Sequence, residues 1–104
     1  MTPRPYTADE VRERFLDHVR SLAVYWAGQQ DQTPLERCEG VAFSILNIFD
    51  GTTGLPAMNI SLAPHTDDRA YQESNGENWY EPDQIINDCY LHELFYREPK
   101  HGHD

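Results

Sequence analysis

Thr7-Ala8-Asp9-Glu10 and Thr33-Pro34-Leu35-Glu36 do most to constrain this chain, because each is a helix start encoded in local chemistry. A threonine at the cap position accepts the backbone N–H three residues on. The glutamate there reaches back to the threonine N–H, so two donors that a helix leaves unpaired satisfy each other's partners. After the first start, Val11, Phe15, Val19, Leu22 and Trp26 recur at spacings of 4, 4, 3 and 4, which places them on one helical face. Arg12, Glu13, Arg14, Asp17 and Arg20 take the other face, and Gly28 closes a helix predicted over 7–27. The second start has proline at the first helical position, where its missing N–H costs nothing. Leu35, Cys38, Ala42, Ile45 and Phe49 follow at 3, 4, 3 and 4, while Val41, Phe43, Leu46 and Ile48 fill the remaining faces, so this helix is expected to be buried on most sides. Val41, Phe43 and Ile45 also alternate, which admits a strand over 41–49. The cap and the unbroken 3-4 spacing from Thr33 favour helix. The polar turn 29–32 is short, so the two helices are expected to pack as antiparallel neighbours.

Beyond Asp50 the pattern changes. Asp50-Gly51-Thr52-Thr53-Gly54-Leu55-Pro56 is a turn by composition. Met58, Ile60 and Leu62 alternate with Asn59 and Ser61, predicting a small β element near 57–63 that Pro64 ends. Its partner is a segment near Trp79, residues 41–49 in the alternative reading, or another chain. Residues 65–76 read as a connector with a short helix capped by Thr66 and closed by Asn75-Gly76, and 77–82 as a loop or brief extended piece. A last helix is predicted to begin between Asp83 and Asp88 and to run to Arg97, carrying Ile85, Ile86, Cys89, Leu91, Leu94 and Phe95. Pro99 stops it, leaving 98–104 as a flexible tail. The expected architecture is α+β: one domain over 1–104 with an antiparallel helix pair, the β element and a closing C-terminal helix.

Charge narrows the function classes. The chain has 18 acidic against 8 basic residues among its 104, and the imbalance is local. Residues 1–40 carry seven acids and five arginines; residues 41–104 carry eleven acids against Arg69, Arg97 and Lys100. Such a surface repels phosphate, which argues against direct binding to nucleic acid or an anionic membrane and permits a basic protein partner. Cys38 and Cys89 fall in predicted helices with no CxxC pair, as expected of two buried thiols in a reducing cytoplasm. No signal-peptide pattern or bilayer-length apolar run is seen, so a cytoplasmic location is expected.

Three clusters carry candidate chemistry. His65, Asp67 and Asp68 could bind a divalent metal or pair a base with its orienting carboxylate, but the same residues suit a short helix whose dipole favours the aspartates. Cys89 and His92 share a helical face, yet no second ligand pair stands at metal spacing. Glu77, Asn78, Trp79, Tyr80 and Glu81 form an aromatic-acidic loop. It suits either an interface anchor or a plug for the end of the core. No phosphate loop, GxSxG or HExxH occurs, so no catalytic residue, metal or cofactor is assigned and an enzyme is the less favoured reading.

Glu39-Gly40-Val41-Ala42-Phe43-Ser44-Ile45-Leu46, the Asp50-Gly51 turn, Pro64-His65 with Asp67-Asp68, and Gly76-Glu77-Asn78-Trp79-Tyr80 resemble a family of small bacterial and phage proteins with a GENWY loop. The resemblance covers roughly residues 36–97. It implies a mobile-element accessory protein, and it implies no activity or catalytic residue. The expected function is a non-catalytic binding module that presents His65, Asp67, Asp68 and residues 77–81 to a basic nucleic-acid-binding protein, as an inhibitor would. The alternatives are a metal-dependent enzyme using His65, Asp67 and Asp68, and a self-associating subunit whose 58–62 strand pairs across a homodimer.

Overall fold

Both threonine caps form as their sequences dictate in the computed structural model, which describes residues 2–96. Helix α1 spans Ala8–Ala27. Thr7 Oγ1 accepts from Glu10 N at 3.2 Å and Glu10 Oε1 accepts from Thr7 N at 2.9 Å. Arg4 adds a two-pronged ion pair to the same carboxylate, and the guanidinium with the Thr7 N–H holds Glu10 down at about 2. Helix α2 spans Pro34–Asp50, with Thr33 and Glu36 in the same reciprocal bonds. The strand alternative for 41–49 is therefore excluded. At its end, Gly51 N–H donates to Ile48 O and Thr52 N–H to Asn47 O, the paired bonds of a left-handed helix stop. Gly51 has φ +80, and a Cβ there would stand 2.8 Å from Cβ of Ala57, so backbone and packing both require glycine.

The two helices pack antiparallel. Trp26, late in α1, lies against Gly40, early in α2, so closely that a Cβ on Gly40 would fall 2.4 Å from the indole. The indole Nε1 donates to Ser44 Oγ at 3.1 Å. At the other end the Phe15 and Phe49 rings meet with centroids 5.8 Å apart. The predicted face of α1 does turn toward α2, but α1 buries no residue, and α2 buries only Gly40, Ile48 and Asp50. Helix α2 meets α1 on one side and the C-terminal turn on another, and no residue from 40 to 50 is exposed, whereas Leu35 and Cys38, near its start, stand exposed against expectation. Cys89 is exposed as well, so the two thiols are not core residues.

The expected α+β class is also corrected. Among the described residues there is no sheet, and the 57–63 element amounts to one antiparallel bridge, Ser61 to Ile85. Leu62 N–H donates to Gln84 O and Ile86 N–H to Ile60 O, on either side of the bridge. A longer ladder does not form because the Asn87 side chain takes the next positions. Its Nδ2 donates to Met58 O at 2.6 Å and its Oδ1 accepts from Ile60 N at 2.7 Å. The strand partner thus lies in the same chain, in the segment read from sequence as the start of the last helix. That use of the backbone is why the predicted helix from 83–88 to Arg97 gives way to α4, Leu91–Leu94: Gln84 O and the Ile86 N–H bond across the neck, and Asp83 is left-handed, with φ +66. Helix α3 spans Asp68–Ser74. The predicted helix terminus at Arg97 and the tail 98–104 lie outside the described residues.

Candidate protein-binding surface

The Ser61–Ile85 bridge makes a neck, and residues 63–83 form an excursion beyond it. Helix α3 and the loop after it pack on each other here. Gly76, at φ +72, turns the chain back so that Glu77 N–H donates to Gln72 O at 2.9 Å. This reversal brings Arg69 of α3 over the ring of Trp79 at 4.5 Å, while Trp79 Nε1 donates to Glu81 Oε2 at 2.7 Å. The indole is held on one face by a cation and at its polar edge by a carboxylate, so it is ordered before any partner arrives. The Trp79 ring is half-buried, and the groups that hold it, Arg69 and Glu81, belong to its own lobe.

His65, Asp67 and Asp68 open the same lobe. Asp68 Oδ2 accepts from His65 N at 3.0 Å, and Asp67 N–H donates to His65 Nδ1 at 3.1 Å. Thr66 does not cap α3; Asp67 precedes the helix without a side-chain cap, and the Asp68–His65 bond fixes the turn. The 3.7 Å approach of Asp67 Oδ2 to His65 Nδ1 is too long for a hydrogen bond. Asp68 serves the turn with its carboxylate and Asp67 with its backbone N–H alone. Among the described residues no group of three His, Cys, Asp or Glu is placed to hold a metal.

The lobe is strongly negative. Asp67, Asp68, Glu73, Glu77, Glu81 and Asp83 are all exposed, against the single cation Arg69. Tyr71 and Tyr80 are 69% and 66% exposed beside them. Asn78 is exposed between Glu77 and Trp79. All predicted binding residues therefore belong to one structural unit, and Arg69, which the sequence reading did not single out, is what joins the two clusters. Six acids crowding one arginine near a tryptophan was the available signal.

A second arrangement escaped the sequence reading altogether. The Asp50 carboxylate, shut off from solvent, accepts from Leu91 N at 2.9 Å, His92 N at 2.8 Å and His92 Nδ1 at 2.5 Å. Burial by itself would raise this carboxyl, but the His92 and Leu91 donors outweigh it and hold Asp50 below the usual aspartate range. Asp50 thus caps α4 from the end of α2 and ties the chain's last described turn to the helix pair. His92 packs edge-on to Phe43, its ring centroid 5.7 Å away. Asp50 also lines an open cleft of about 390 Å³ with Met58, Asn59, Asn87, Cys89 and Tyr90. The same carboxylate carries two backbone donors, so the Asp50–His92 pair helps to hold the fold. The sequence signal was an acid in the last turn of a helix, where the dipole disfavours it.

No helix among the described residues is long and apolar enough to cross a membrane. No protein-family model matches the chain, and comparison with curated proteins and with solved structures finds no match.

Proposed function

We propose that this chain is a non-catalytic binding module whose acidic lobe engages the basic face of a protein partner. The observation that carries this reading is the lobe itself: six exposed carboxylates and two exposed tyrosines on a 21-residue excursion braced by the Arg69–Trp79–Glu81 stack. Aromatic rings that are already ordered offer contact area at small entropic cost. Concentrated negative charge steers a positive surface into encounter and is repelled by phosphate. A nucleic-acid-binding protein presents such a surface, so the reading extends to an inhibitor that occupies the site its nucleic acid would take, and to a mobile-element accessory role.

The test is association with purified basic DNA-binding proteins, with duplex DNA as the negative reference. For a partner, the on-rate should fall about tenfold or more between 50 and 300 mM salt, as a steered encounter requires. The variant Asp67→Asn, Glu77→Gln, Asp83→Asn should lower it at low salt without changing the fold, because none of these side chains supports the lobe's internal hydrogen bonds. Binding indifferent both to salt and to that variant would overturn the proposal.

A further inference from the structure

The described chain is short of a core. Ile48 and Leu55 are its only buried apolar residues, and its six tyrosines are all more than half exposed. The radius of gyration is 17.9 Å, where a compact domain of this length would have about 13 Å. The accessible surface is 8336 Å², where a compact chain of 12.1 kDa would expose about 6,000 Å². Even if the residues outside the description are counted as fully extended chain, about 1,500 Å², an excess of roughly 1,000 Å² remains. That matches what each partner of an obligate homodimer buries, roughly 1,000–2,500 Å².

The place for that burial is the turn end of the helix pair. Ala23, Trp26, Ala27, Pro34, Cys38 and Val41, with Arg37 whose Nε donates to Gln29 O, line a mostly apolar groove of about 330 Å³ there. Val24 and Leu35, next in sequence to Ala23 and Pro34, are 75% and 66% exposed. An exposed apolar surface at the end of a helix pair can be complementary to itself, as a two-fold interface demands.

We infer that a second copy of this chain covers the groove, forming a two-fold dimer through the α1–α2 turn end with the acidic lobes outside the contact. Two considerations select a second copy over another protein. The missing burial belongs to the chain's own core, so it must be supplied whenever the chain is folded, and only another copy is always present in equal number. Charge points the same way: residues 1–40 hold seven acids and five arginines, so two acidic chains repel least when they meet through this half. This inference is independent of the lobe's function.

Sedimentation of the full chain at about 10 µM, a concentration at which a micromolar association is well populated, tests it. The expected mass is twice the 12.1 kDa of one chain. Ala23→Glu places a charge on a side chain that is exposed in the single chain, so it should reduce the mass to one chain or abolish folding. Tyr80→Ala, on the lobe, should leave the dimer intact. Cys38 provides a measurement that needs no groove substitution. In Cys89→Ser protein its alkylation rate should drop at least threefold as concentration rises from well below to well above the dissociation constant. A monomer at that concentration, a dimer untouched by Ala23→Glu, or a Cys38 rate independent of concentration would each overturn the inference.

Discussion

Asp50 shows how much one side chain can hold. Its carboxylate accepts three hydrogen bonds without access to water, all from the first turn of α4 and two of them from backbone N–H groups. Asn at this position would keep the shape but turn an amide group toward N–H donors, so Asp50→Asn should cost about 2 kcal/mol in urea unfolding at neutral pH. The pH dependence follows from the depressed carboxyl. Its stabilisation is complete above the unfolded-state value of about 4 and is lost as pH falls through the lower folded value. The gap in unfolding midpoint between wild type and Asp50→Asn should therefore narrow from pH 6 toward pH 2. Parallel pH profiles would show that Asp50 has no such role. Gly40 is a comparable pivot: Trp26 fills the space a methyl group would need, so Gly40→Ala would force the helices apart.

At the scale of elements, the helices and the lobe follow different rules. Helices α1 and α2 begin where their own threonines and glutamates say, because a capping box spans only four residues. The 60–62 and 84–86 segments each have too little pairing to stand as strands, and Asn87 finishes their ladder with its side chain. Asn87→Ala removes both bonds and should loosen the neck while leaving the helix pair in place. Amide exchange should then quicken at Ile60, Leu62 and Ile86 with little change in α2. Uniform acceleration throughout the chain would mean instead that neck and helix pair unfold as one unit.

At the scale of the whole molecule, the proposed dimer would make folding and association one process. Thermal unfolding should depend on concentration, rising about 3–5 °C for each tenfold increase in protein, as mass action requires of a dimer of this size. A melting temperature fixed over a hundredfold range would separate folding from association. The distribution of charge fits the same division of labour, with the near-neutral half available for self-contact and the acidic lobe free to meet another surface.

What the sequence by itself determined was everything that depends on near neighbours. The two capped helices, their facing stripes, the turn from Asp50-Gly51 and the concentration of acids in residues 41–104 were all legible, because caps, periodicity and composition are local properties. The tertiary structure alone decided the rest. The period-two run at 58–62 could not reveal that its partner was the stretch 84–86, nor that pairing there would consume most of the predicted last helix. Asp50 capping a helix more than forty residues away, and Arg69 stacking on Trp79, are contacts whose energy depends on a meeting in space that no local pattern records. For the same reason the exposed thiols and the thin core were invisible from periodicity. An apolar stripe states that a face must be covered, and only the packed chain shows that Ile48 and Leu55 are the apolar residues it buries among those described.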